Sequence, residues 1–250
     1  MSYKIFLSVL CALFIVQSPC IATSRTSPWV YHSRTMMEGE FEYEQWVTFK
    51  TDKKNDSEYN EWRFRHELEW GVTDRLQLAL YFADWRIKQT SEQEKITFRD
   101  VALEAVYQVQ TPSIDQVGIA MYGEIKYGPE FLELEGKCIL EWEFEQVSVL
   151  YNLTVEAEWE GDDLSETKGK LENSFSLTYQ PEPSMTWGVQ AVWEKEFPEW
   201  NSIGNDVVSI GPSFSWQNSN WWFSISPLFQ ITDVDSEPDL QVRLLFGIDF

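Results

Sequence analysis

The stretch FEYEQWVTFKTDKKNDSEYNEWRFRHELEW, residues 41–70, decides the fold. Its apolar and charged residues alternate with period two, not with the 3.6 of a helix. Phe41, Tyr43, Val47 and Phe49 fall on one parity, and Glu40, Glu42, Glu44 and Lys50 on the other. After a polar break, Trp62, Phe64, Leu68 and Trp70 oppose Glu61, Arg63, Arg65, Glu67 and Glu69. Successive side chains of a strand point to opposite faces, so this spacing predicts two strands, each with one greasy and one ionic face.

The same rhythm continues to the C-terminus. About twelve segments carry it: 39–51, 58–71, 75–88, 96–110, 116–128, 131–145, 147–160, 169–180, 185–197, 206–217, 220–232 and 239–250. It is plainest where Leu132, Leu134, Cys138, Leu140, Trp142 and Phe144 oppose Glu133, Glu135, Lys137, Glu141, Glu143 and Glu145. Each segment exceeds the roughly 9–11 residues with which a tilted strand crosses a bilayer. The connections alternate too. Val72-Thr73-Asp74, residues 111–115, Gln146, residues 180–184 and residues 217–220 are tight, whereas 52–57, 89–95, 161–168, 198–205 and 233–238 are longer and more polar; the link at Gly128-Pro129 is a short exception. Short turns on one side, longer loops on the other, an even strand count and both termini on the short-turn side follow the plan of a bacterial outer-membrane barrel. The expected fold is therefore all-β, a transmembrane antiparallel up-and-down β-barrel of about 12 strands over 39–250.

Ahead of it, residues 1–22 read as a signal peptide: Lys4, the apolar run Ile5–Val16, and small residues at Cys20-Ile21-Ala22 for cleavage. That run is shorter than the roughly 20 residues a spanning helix needs, and no later segment approaches such a length without charge. Residues 23–38 are then expected as a periplasmic N-terminal segment. Cys11 and Cys20 leave with the signal, and Cys138 alone cannot form an internal disulfide. The chain carries 41 acidic against 19 basic residues, a net charge of -22, which argues against a nucleic-acid partner. Aromatic residues make up 16%, too many for a disordered acidic chain.

Alternation alone fits a soluble sandwich as well as a barrel. Two features favour the barrel. Trp62, Trp70, Trp142, Trp159, Trp187, Trp193, Trp216 and Trp221 sit near strand ends, where interfacial girdles place amphipathic rings. The last segment puts Leu240, Val242, Leu244, Phe246, Ile248 and Phe250 on one parity. A closing strand of this kind resembles the C-terminal signature read by the barrel assembly machinery, which is thereby an expected partner through Phe250, together with outer-membrane lipid. The run Gly39 to Thr48 and the run Glu67-Leu-Glu-Trp-Gly-Val-Thr-Asp-Arg-Leu-Gln77 resemble a family of uncharacterised bacterial proteins expected to be outer-membrane barrels, of transporter or porin-like type. The resemblance implies fold and outer-membrane location, and brings no catalytic residues with it.

If the greasy parity meets lipid, the ionic parity lines the lumen. The candidate lumen-lining residues are Glu42, Glu44, Glu61, Arg63, Arg65, Glu67, Glu69, Glu104, Glu124, Lys126, Glu133, Glu135, Lys137, Glu141, Glu143, Glu156, Glu158, Glu172 and Arg243, with Lys170 and Glu194 on the same parity. Unpaired charge in a dry core costs several kcal/mol per group, so such an interior is wet, internally paired, or both. An acid-lined lumen suggests a passive, cation-preferring pore or small-solute transporter; a salt-bridged, non-conducting barrel is the alternative. His66 lies within a strand on the apolar parity, where barrel lipases carry a histidine, but no serine can be assigned to it, so no catalytic role is expected. Asp233, Asp235, Glu237 and Asp239 place oxygens on one loop without the glycine and terminal glutamate of a calcium loop. No phosphate-binding glycine loop or Cys/His zinc spacing occurs, and no metal or cofactor is expected.

Overall fold

The computed structural model describes residues 24–250; the signal-peptide reading of residues 1–22 lies outside them. Thirteen strands follow in order: β1 (Phe41–Lys53), β2 (Asp56–Thr73), β3 (Leu76–Gln89), β4 (Glu94–Phe98), β5 (Val101–Gln110), β6 (Gly118–Gly128), β7 (Phe131–Phe144), β8 (Val147–Glu160), β9 (Glu166–Glu182), β10 (Met185–Pro198), β11 (Asp206–Gln217), β12 (Trp221–Gln230) and β13 (Leu240–Asp249). Every pairing is antiparallel between chain neighbours, apart from the seam between β1 and β13 and the step from β3 to β5. At the seam Glu42 faces Asp249 and Thr51 faces Leu240, and the Phe250 N–H donates to the Phe41 carbonyl. The sheet closes on itself as a 12-strand barrel with one extra strand, and a closed barrel leaves no long exposed edge.

The extra strand is half of a segment read as one, 96–110. Trp85 pairs with Phe98 and Tyr81 with Ala102, the same register on either side of a break at Arg99-Asp100. At the break Asp100 is fully buried, and the Arg99 N–H donates to the Asp84 carbonyl. β4 thus continues β5 along β3. β6 ends opposite the break, at Gly128, where a Cβ would collide with the Arg99 carbonyl. Between β7 and β8 the turn is so tight that Glu145 takes the left-handed conformation, φ 50°, as two-residue hairpins demand.

The greasy parity points outward. Leu103 is 61% exposed, Tyr127 63% and Val155 54%, whereas Glu44 and Glu67 on the opposite parity are fully buried. Outward rings gather at both ends of the wall. Phe41 stacks on Trp70 and on Phe250 at the short-turn end; Phe49 meets Trp62, and Trp159 meets Trp200, at the other. Inside, two halves of the wall differ. Glu, Lys and Arg crowd the inner faces of β1, β2 and β7, while β9, β11 and β12 present the buried Ser174, Ser176, Ser209, Ser213, Ser215, Ser224 and Ser226. Small side chains leave room beside them, and a chain segment occupies it.

Candidate functional site

Residues 24–38, read from the sequence as lying before the barrel, run inside its short-turn half. Many of its anchors are polar side chains of the inner wall that reach the segment's backbone. The Asn152 carboxamide spans Tyr31 from both sides, accepting from the Tyr31 N–H at 2.7 Å and donating to the Tyr31 carbonyl at 3.0 Å. Gln190 accepts from the Trp29 N–H at 2.9 Å, Gln77 accepts from the Met36 N–H at 3.0 Å, and Gln108 donates to the Ser33 carbonyl. Ser27 shares a hydrogen bond with Ser176 on the serine wall, and the Trp29 indole donates to the Ser226 carbonyl. Glu141 accepts from both the N–H and the hydroxyl of Ser33 at 2.8 Å, with His32 Nδ1 at 3.3 Å; Glu143 takes Arg34.

Tyr31 is the knob of this plug. It packs against two groups of buried apolar residues, one containing Trp46, Tyr81, Trp222 and Leu245, the other Val106, Tyr122 and Ile139. Its ring meets Tyr122 edge-on at 5.0 Å, and the Arg25 guanidinium lies 3.7 Å from its centre. Trp46, on the ionic parity, therefore faces inward as a packing residue.

On the long-loop side of the plug lies a cavity of about 430 Å3, floored by Trp29, Tyr31 and Trp46 and reaching Asn205, Ser236 and Glu237. Its walls are charged residues in mutual contact. Arg65 bonds Glu124 at 2.7 Å and sits 3.4 Å from Asp84, which Arg63 also holds. Lys126 lies within 3.0 Å of Glu124, Glu133 and Glu135, and Lys137 2.9 Å from Glu135. Lys170 joins Glu156, Glu172 and Glu194; Lys168 and Arg99 converge on Glu158. Near the rim Arg86 approaches Glu61. Arg243 covers the Trp29 ring at 3.7 Å and donates to Thr48 and to the Pro28 carbonyl. At the loops, Lys54 bonds Asp233 and holds its carboxyl below the usual range, and burial lifts that of Glu237.

The sequence-predicted lumen residues thus fall into three places. Most are in the cavity wall, Glu141 and Glu143 hold the plug, and Glu42, Glu44, Glu67, Glu69 and Glu104 form a tight group near the short-turn mouth. Asp84, Arg99 and Asp100 escape a parity reading because the alternation shifts just before Asp84, at the β2–β3 irregularity, and again at Arg99-Asp100. The plug was missed altogether. Its signal lay in Trp29, Val30, Tyr31 and Met36, apolar residues that a solvated linker has no reason to carry. His66 stands on the outer face, hydrogen-bonded to the Tyr43 hydroxyl at 2.8 Å and tilted against Phe82.

A family model described as "Family of unknown function (DUF6662)" matches residues 21–148 and 129–238. No curated protein matches the chain. Among solved structures, the COG4313 outer membrane channel of Pseudomonas putida F1 superposes with a TM-score of 0.66 at 10% identity, covering 87% of this chain and 98% of that one. The NanC porin gives 0.57 at 9% identity, over 83% and 98%. LpxR from Salmonella typhimurium gives 0.54 at 10%, over 84% and 100%. At such identities the likeness establishes the barrel fold.

Proposed function

The chain belongs to the DUF6662 family of unknown function, and from that premise we propose that it is an outer-membrane solute channel whose N-terminal segment closes the inner half of the lumen. The observation that carries this reading is the charged cavity that opens toward the long loops and ends on Trp29 and Tyr31. The outward apolar parity supports insertion in a bilayer, and two structures of the same fold are named as a channel and a porin. The plug is held by hydrogen bonds to its backbone, by the ion pairs of Arg25 and Arg34 and by the packing of Tyr31, all of them non-covalent contacts that the segment can release together.

Cation preference is the finer part of the proposal, and the pairing pattern relocates its source. Acids of the cavity wall are matched by Lys and Arg, so they impose little field of one sign. Glu141 and Glu143 become free when the plug leaves, beside the carboxylate group at the short-turn mouth. A non-conducting barrel is the competing reading, favoured by the packing around Tyr31.

Planar-bilayer recording of refolded protein separates the two. Protein lacking residues 24–37 should conduct in steady, large steps with a cation-side reversal potential in a salt gradient, and full-length protein in rare ones. A folded deletion protein that stays silent ends the channel reading.

A further inference from the structure

Two like-charge pairs face each other in succession at the short-turn mouth: Glu42 opposite Glu69, and Glu44 opposite Glu67, on the inner face of β1 and β2. Directly opposed like charges destabilise a sheet. Ala79, between Glu69 and Glu104 in the register, is too small to separate them, and carboxylate oxygens of Glu67, Glu69 and Glu104 come within 4.8 Å of one another. Other members of the group are partnered: the Trp46 indole donates to Glu44 at 2.7 Å, the Trp222 indole to Glu42 at 3.0 Å and the Tyr81 hydroxyl to Glu104 at 2.8 Å. Glu67 is not. It is fully buried, and neither of its carboxylate oxygens has a hydrogen-bond partner among the described residues. Arg25 brings one positive charge, but its nearest carboxylate oxygen is on Glu44, at 3.8 Å.

We propose that Glu67, Glu69 and Glu104 bind a divalent cation of calcium size. The donors are all carboxylate oxygens, the ligand type of hard cations. Magnesium keeps several of its waters and takes one or two protein carboxylates, whereas calcium accepts six to eight oxygens in flexible geometry, so a group offering three buried carboxylates suits calcium better. A bound ion also removes the repulsion between carboxylates that the single guanidinium leaves in place. Glu69, 6% exposed, gives the group its opening toward the mouth. The site is a property of the wall, and a silent barrel would hold it as well as a conducting one.

The test is terbium luminescence on refolded, lipopolysaccharide-free protein in detergent, because Trp46 and Trp222 touch the carboxylate group and sensitise an ion held there. Saturable emission at one ion per chain is expected, displaced by calcium at lower concentration than by magnesium. Glu67→Gln and, separately, Glu104→Gln should weaken terbium binding at least tenfold, with folding read from heat-dependent gel mobility. A loop variant, Asp233→Asn with Asp235→Asn, should keep it. Absence of saturable emission from the folded native chain, retention of it in both glutamine variants, or its loss in the loop variant overturns the proposal.

Discussion

Replacing Asn152 by alanine strikes the plug where its hold is most specific. The side chain makes both hydrogen bonds to Tyr31, at 2.7 and 3.0 Å, in a fully buried position. Each bond is worth about 1 kcal/mol net, so the docked state loses about 2 kcal/mol. At 1.4 kcal/mol per factor of ten, the undocked fraction rises roughly 30-fold. Arg34 is exposed even when docked, but Ser33 and Met36 beside it are buried and bonded to the wall, so trypsin can cut there only once undocking frees the backbone, and cleavage tracks the open population when docking is faster than cutting. The Asn152→Ala protein should therefore lose its N-terminal segment tens of times faster than the native one, and its open probability in a bilayer should rise in parallel. Glu141, which accepts two hydrogen bonds from Ser33, serves as a second handle. If the folded Asn152→Ala barrel is cut no faster and opens no more often, the segment is not a docked plug.

Other perturbations follow from the two faces of the wall. Glu141→Gln removes the charge from two hydrogen bonds to Ser33 and should raise the open probability several-fold in the same recordings. Lys126→Ala leaves Glu124, Glu133 and Glu135 without their shared cation and should cost about 3 kcal/mol in urea unfolding from lipid vesicles. Leu153→Arg puts a charge on the outer face at mid-strand and should cost about 2–4 kcal/mol in the same experiment.

Period-two alternation made nearly all of the wall legible in advance. A strand with one greasy and one ionic face has only two orientations, so parity alone fixed which side of each segment lies together, and the ribbon 147–160 agrees with β8 residue for residue. The alternation of short and long connections placed both termini on one side, where Phe250 meets Phe41. What stayed hidden depends on contacts between residues distant in sequence. Parity does not encode inter-strand offset, so the convergence of Lys126 on three glutamates from β6 and β7 could not be read. At Arg99-Asp100 the outward parity passes from Ile96 and Phe98 to Val101 and Leu103, a one-residue shift that a bulge inside a single strand would show equally, so the break itself could not be read. The plug has no periodicity at all, and its place follows from the serine faces of β9, β11 and β12, which in the sequence are merely small and polar.

The account stands on the outward direction of the apolar parity, and nitroxide labels along β8 address it residue by residue. In a Cys138→Ala background, labels at residues 149, 151, 153 and 155 should collide with membrane-dissolved oxygen, and labels at 150, 152 and 154 should be shielded from it, alternating along the reconstituted barrel. The opposite alternation, or uniform access to a water-soluble relaxant at 153 and 155, would contradict it.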